Sequence, residues 1–361
     1  MNYKNIIAAI LIVLIFNSLS AQSDSETRSF IKILPVDKET TLDVSNKYGT
    51  IQITPWNKDS AYIRAEIKAY SKDRSKINKM FDGINVNISG SKYIVRAQTE
   101  FSSNINTLFE SFKGMTNKII SYDSHVEINY YINIPEYLNL KIENKYGDVY
   151  MEDCRGEFKI SISNGSFKAN SLGTSSSINM VFCDAKINSI VSGSIDASFS
   201  EISIGESGDI SINSISSKYD IKKAGIIRGE SKRDKFFIEN IESLQGNAYF
   251  TDYNVNNLRK ELNLTTRYGS VSTEQIEKGF ELITINSSYS DLSLRFDPGT
   301  SYNIDIRHTN AFLVLPDKNI KTEQKALNED KKEYITSGTF GKNPGIAKVK
   351  IDANRGNIYI K

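Results

Sequence analysis

Three phrases in this chain follow one rule: "SNKYGTIQI" at 45–53, "ENKYGDVYM" at 143–151 and "TTRYGSVST" at 265–273. In each, core-type residues hold one parity up to the aromatic and the opposite parity after it. Leu140, Ile142, Asn144 and Tyr146 alternate, and then Val149 and Met151 fall on the other parity. Leu42, Val44, Asn46 and Tyr48 give way in the same manner to Ile51 and Ile53. Ile283, Ile285, Ser287 and Tyr289 give way to Leu292 and Leu294. A strand alternates with period two, so one extra residue turns the wrong face inward unless the backbone bends or bulges there. The phrase therefore marks a structural corner, at which Gly49, Gly147 and Gly269 would permit an unusual backbone conformation.

Weaker copies fill the interval. Phe182 is followed by Cys183 in the glycine place, and Phe199 and Phe250 carry the same slip. Asn164, Asn310 and Arg355 stand in the aromatic place of three further copies, and Tyr219 is the best candidate where the register blurs between 205 and 245. The corners at 146, 164, 182 and 199 are spaced 18, 18 and 17 residues, and those at 250, 268 and 289 are spaced 18 and 21. A repeat of about 18 residues with two strand segments predicts an all-β, parallel β-solenoid, in which each rung covers the next. The competing arrangement is an antiparallel meander, whose corners would be hairpin turns. On the solenoid reading the corner rings point inward, with Phe250, Tyr268 and Tyr289 stacked in one run and Phe182 with Phe199 in another.

The chain divides around that array. Residues 1–21 read as an export signal, with Lys4 before an apolar run and cleavage after Ala21, an uncleaved anchor being the alternative. No cysteine lies near that site, so lipid attachment is not expected, and no later run is long and apolar enough to span a bilayer. Residues 22–135 are rich in strand patterns and carry one helix pattern near 71–81, with Ile77, Met80 and Phe81 at helical spacing. The stretch 101–118 is read as a loop or short amphipathic helix. Residues 136–361 form the repeat array, with a polar excursion near 316–347, and the last rung, "AKVKIDANRGNIYIK", is expected to close its end.

Composition narrows the chemistry. Lys and Arg number 45 against 43 Asp and Glu, too even a balance to attract nucleic acid. Cys154 and Cys183 lie 29 residues apart, about one and a half repeats, which places them on different sides of a rung as two free thiols. No metal-spaced Cys/His cluster, phosphate loop or nucleophile elbow appears, so no cofactor, metal or catalytic residue is expected. His308 falls at an inward place two before a corner, where a hydrogen-bonded role is expected. Asp148, Asp184, Glu201, Asp252 and Asp291 follow their corners and could form a carboxylate row for Ca²⁺ or an acid pair, although Ser166 and Ser270 interrupt it. Trp56, Tyr150 and Tyr359 are aromatics that could stack on sugars.

The run "LDVSNKYGTIQITPWNKDSAYIRAEIKA", a helix, and then "KYGDVYM"-like units resemble the bacterial candidate-adhesin domains of unknown function. These are exported β-solenoids akin in style to auto-transporter adhesin heads. The resemblance implies the fold and a place in the periplasm, the outer membrane or the cell surface, and it supplies no catalytic residues. The expected function is a non-catalytic, adhesin-like scaffold whose partner is a surface polysaccharide or an envelope protein. The alternatives are a polysaccharide-active enzyme on the same fold and an envelope-stress or signalling accessory.

Overall fold

The computed structural model describes residues 24–102 and 124–361. The segment read as an export signal and residues 103–118 of the 101–118 stretch lie outside the described residues. What is described is all-β with one helix, and its 22 strands form a single hydrogen-bonded sheet. Among the described residues no helix is long and apolar enough to cross a membrane.

The first part comprises Asp24–Pro35 (β1), Thr41–Lys47 (β2), Ile51–Pro55 (β3), Ser60–Ser71 (β4), Arg74–Asp82 (α1), Ile84–Gly90 (β5), Ile94–Phe101 (β6) and Ser124–Ile134 (β7). Alternation sets the inner face: in β4, Ala61, Ile63, Ala65, Ile67 and Ala69 are buried and their neighbours are not. β4 pairs antiparallel with both β1 and β7, and β5 pairs antiparallel with β6. The helix starts at Arg74 because the carboxylate of Asp73 caps it, accepting the Ser75 N–H at 2.8 Å. Its buried residues, Ile77 and Phe81, turn toward the sheet, and Arg28 lies 4.2 Å over the Phe81 ring.

The next strands are Asn139–Lys145 (β8), Val149–Met151 (β9), Phe158–Leu172 (β10), Ser176–Ser198 (β11), Glu201–Ile215 (β12), Lys218–Lys232 (β13), Lys235–Tyr249 (β14), Asp252–Arg267 (β15), Ser270–Ile276 (β16), Leu282–Ser288 (β17) and Asp291–Phe296 (β18). Each pairs in parallel with the next rung, so Ile160 lies beside Ile178, Ile187 beside Ile204 and Ile221 beside Ile238. The sheet crosses residue 135 without a break, since β2 pairs with β8 and β3 with β9.

Inside, aliphatic residues run in columns, and Tyr219, Phe236 and Tyr253 stack at 4.5 and 4.8 Å between ring centroids. The rungs that hold Tyr219 and Phe236 also hold Gly229 and Gly246, which pair with Ile212 and Leu264 in the flanking rungs. Large and small residues thus share the interior of one rung. Tyr219 is fully buried and is not a corner; the bend lies three residues earlier, at Ser216 (φ 54°).

The chain closes with Tyr302–Val314 (β19), Ile320–Asn328 (β20), Glu333–Phe340 (β21) and Lys348–Ile360 (β22). Here the expected order is corrected. β22 does not cover the end of the array. It lies between β17 and β18 on one side and β19 on the other, parallel to all three. β21 pairs antiparallel with β19, and β20 with β21, so much of the 316–347 stretch is a hairpin at the sheet's edge. Burial explains the exchange: Val349, Ile351, Ala353, Ile358 and Ile360 suit an interior rung, whereas β20 is exposed and charged, as edge strands commonly are.

Candidate functional site

Apart from Tyr219, every corner named from the sequence has the left-handed backbone, but the residue that adopts it is the one in the aromatic place, not the glycine after it. Tyr48, Tyr146, Phe182, Phe199, Phe250, Tyr268 and Tyr289 have φ between 52° and 64°, and Asn164, Asn310 and Arg355 share the conformation. Gly49, Gly147 and Gly269 do not. Their role is close approach: a Cβ on Gly147 would lie 2.0 Å from the Gly49 carbonyl oxygen, and one on Gly269 2.0 Å from that of Thr251. The left-handed residue is the extra one in the alternation, so its side chain is thrown outward and the next residue takes the inward place. The expectation that the rings point inward is thereby corrected: Phe182, Phe199 and Phe250 are 57, 53 and 51% exposed.

Where the inward corner residue is not glycine, its side chain joins the rungs. Ser200 Oγ accepts the Cys183 N–H, Ser217 Oγ the Ser200 N–H, and Thr251 Oγ1 the Asp234 N–H, at 3.1–3.3 Å. Asp234 carries the largest share. Its buried carboxylate accepts from Ser217 N–H, Lys232 N–H and the hydroxyls of Ser214 and Ser231 at 2.6–2.9 Å.

Outside, the rings form a ladder along one edge. Tyr48 stacks on Tyr146 at 5.5 Å, Phe182 on Phe199 at 5.0 Å, Phe250 on Tyr268 at 4.9 Å and Tyr268 on Tyr289 at 5.1 Å. The two runs expected at Phe182/Phe199 and Phe250/Tyr268/Tyr289 are present, though on the outer surface. Asn164 interrupts the ladder once, and Ser216 with Arg233 (φ 58°) interrupts it across two rungs. Cations lie on the rings: Lys47 over Tyr48 at 4.6 Å, Arg267 over Tyr268 at 5.0 Å and Arg355 over Tyr289 at 4.9 Å.

Just before the corners the sheet carries an open groove of about 1200 Å³. One row of its wall runs from Asn179 through Asp196, Asn213, Glu230 and Asn247 to Asp352. The row nearer the ladder includes Ile215, Lys232, Tyr249 and Arg267, and the inward Ser214, Ser231, Ala248 and Thr266 also line it. Tyr249 joins the groove to the ladder, edge-on to Phe250 at 5.3 Å. Sequence reasoning missed this surface because it followed core-facing residues. The signal was available in the outward positions three and one before each corner.

The other candidates lie apart from the groove or are engaged elsewhere. In the acid row Asp184 neighbours Glu201, but Lys218 and Lys235 follow before Asp252. Asp148 accepts the Ser166 N–H, Asp252 the Ser270 hydroxyl and Asp291 the Asn357 amide, at 2.6–2.8 Å. Among the described residues no three His, Cys, Asp or Glu side chains form a group able to hold a metal ion. His308 is buried beside the Ala311 carbonyl at 3.2 Å, and burial lowers its pKa. His125 stacks on Tyr70 at 4.2 Å. The Trp56 indole donates to the Ser60 carbonyl, and the Tyr150 hydroxyl donates to Asp148, which raises its pKa. Tyr359 lies under Lys361 at 5.5 Å. Cys154 and Cys183 are free and buried.

No protein-family model matches the chain, and no curated protein matches it. Among solved structures it is similar to a candidate cell adhesion protein from Clostridium sporogenes, at 12% identity, covering 93% of this chain and 100% of that one with a TM-score of 0.21. It is also similar to a candidate adhesin from Bacteroides fragilis, at 11% identity, covering 94% and 98% with a TM-score of 0.28. Superpositions this loose carry no argument about function. Both of these solved structures are described as candidate adhesion proteins.

Proposed function

We propose that the parallel array is a β-solenoid and that the protein is an exported, non-catalytic, adhesin-like scaffold of the cell envelope or surface. It binds an extended ligand along one face, with a surface polysaccharide or an envelope protein as partner. The observation that carries this reading is the groove: rows of Asn, Ser, Thr and Asp repeat at the rung spacing of about 4.8 Å, beside the aromatic ladder. Such rows offer a polymer the same hydrogen-bonding groups at each step, as extended repeat surfaces do.

The groove carboxylates favour binding over cleavage. Asp196 and Glu230 stand in one row with Asn213 between them, and Asp196 accepts the Asn213 amide at 3.2 Å. A glycosidase instead sets its two acids on either side of the bond it breaks.

The test is binding of the purified protein to arrayed bacterial and host polysaccharides, compared with a variant carrying Asn213→Ala, Asn247→Ala and Tyr249→Ala together. Retention by at least one polysaccharide, weakened by about tenfold or more in the variant, supports the reading. Equal retention of both proteins overturns the groove, and sugar release from a retained polysaccharide overturns the non-catalytic assignment.

A further inference from the structure

The aromatic ladder is broken across two rungs at Ser216 and Arg233, leaving a slot between Phe199 and Phe250. Phe182 and Phe199 are nearly parallel at 11° with centroids 5.0 Å apart, an offset stack. Phe250 faces Tyr268 in the same way, at 4.9 Å and 16°. Each ring at the break therefore has one covered face and one that looks into the slot. Three strand spacings put roughly 14 Å between those two faces, enough for a six-membered ring laid against either.

The slot is also where cations collect. Lys232 and Arg233 are adjacent in the chain, and Lys218 and Lys235 are adjacent across rungs on the other side of the bend. Lys218 reaches Glu201 only at 3.8 Å. Among the described residues the side chains of Lys232, Arg233 and Lys235 have no ion pair, hydrogen bond or ring contact. Elsewhere on the ladder Lys47, Arg267 and Arg355 each lie on a ring. Asp234, the carboxylate between Arg233 and Lys235, is turned inward and is 1% exposed. Asp252, beside Lys235, is engaged by Ser270.

We propose that this slot is the subsite at which the scaffold holds an acidic sugar, its carboxylate among Lys232, Arg233 and Lys235 and its ring against Phe199 or Phe250. The neighbouring groove selects a glycan over other anions. Asn213 and Asn247 on its wall suit the hydroxyls of a sugar, which a polyphosphate lacks. The inference rests on the adhesin-like reading above and adds the ligand's charge and the position of its acidic residue.

Calorimetry with a galacturonate oligomer, its methyl ester and monomeric galacturonate tests it, using the full protein and the variants Arg233→Ala, Lys235→Ala and Phe250→Ala, with circular dichroism to confirm folding. The acidic oligomer should bind at least about tenfold more tightly than the ester, and each variant should lose that preference. Arg233→Lys should keep most of it. Monomer binding as tight as the oligomer's places the whole ligand in the slot, whereas much weaker monomer binding makes the slot one subsite of a polymer-binding face. Equal affinity for acid and ester, or Arg233→Ala binding like the unaltered protein, overturns the slot while leaving a neutral-glycan scaffold standing. Binding of single-stranded DNA or a phosphopeptide in preference to every glycan overturns both.

Discussion

The carboxylate of Asp234 accepts the backbone N–H of Ser217 from the adjoining rung at 2.7 Å, in the column where Gly147 instead lies against the carbonyl of Gly49. One inward position thus holds neighbouring rungs together in two ways, by the absence of a side chain or by a side chain that bonds across. Asp234→Ala would strand the N–H groups of Ser217 and Lys232 and the Ser214 hydroxyl, whereas the Ser231 hydroxyl keeps Thr251 Oγ1 at 2.9 Å. With about 1–3 kcal/mol for each buried group left unsatisfied, a loss of about 3 kcal/mol or more is expected. Urea melts check it, and a midpoint within error of the parent would show that the network contributes nothing.

The corner rings and the corner glycines should separate sharply on substitution. Phe182→Asn removes a stacked ring worth about 0.5–1.5 kcal/mol, but asparagine tolerates the left-handed backbone better than phenylalanine does. A net change of less than about 1 kcal/mol follows, because Asn164 and Asn310 already hold this conformation. Gly269→Ala should cost more than about 3 kcal/mol, since its Cβ would overlap the Thr251 carbonyl, which sheet pairing fixes. Thermal melts that ranked the two the other way would overturn the outward corner.

Tyr302 is fully buried between Phe296 and Phe340, stacked at 4.2 and 5.0 Å, and among the described residues its hydroxyl has no hydrogen-bond partner. Tyr302→Phe should be neutral or stabilise by up to about 1 kcal/mol, because an unsatisfied hydroxyl is removed. Tyr302→Ala should cost about 3–5 kcal/mol. A Phe variant less stable than the parent by denaturant melt would reveal a bond to that hydroxyl.

Both thiols should resist a thiol reagent in the native protein and react once it is denatured, with no 154–183 crosslink by mass spectrometry. Burial, with smaller contributions from Asp153, Glu136 and Glu152, pushes the Cys154 pKa up to about 12. A folded pKa above the unfolded one adds stability that is intact at neutral pH. That contribution declines as the unfolded thiol ionises from about pH 8.5. Cys154→Ala should therefore flatten the fall in stability between pH 9 and 11, as read by melts across that range.

The parity slip made the corners legible, even at Asn164, Asn310 and Arg355, where no ring marks them. It could not say which way the extra residue points, since an alternation that shifts by one looks the same for an inward ring and an outward one. Ser216 and Arg233 carry no ring, and Tyr219, three residues past Ser216, is the more conspicuous candidate in that stretch. Yet Ile212 and Ser214, then Tyr219 and Ile221, carry the same slip. The groove was hidden for a related reason: polar residues at outward positions look like ordinary solvated surface until the bend brings their rows together. The place of β22 was beyond pattern altogether, because an inserted strand and a terminal one alternate identically.

That inserted strand has a consequence in time. Through most of the array each rung can dock on one made 17 or 18 residues before it, but Ile351 lies beside both Ile285 and Ile306. As the chain leaves the ribosome, β17 and β19 emerge with a strand's width between their final positions. The residues that fill it, Lys348–Ile360, follow both of them, and the β20–β21 hairpin, in the chain. Assembly of this end thus waits on β22, and a chain cut short before Lys348 would leave β17 and β18 as open edges and β19–β21 with nothing to seal against.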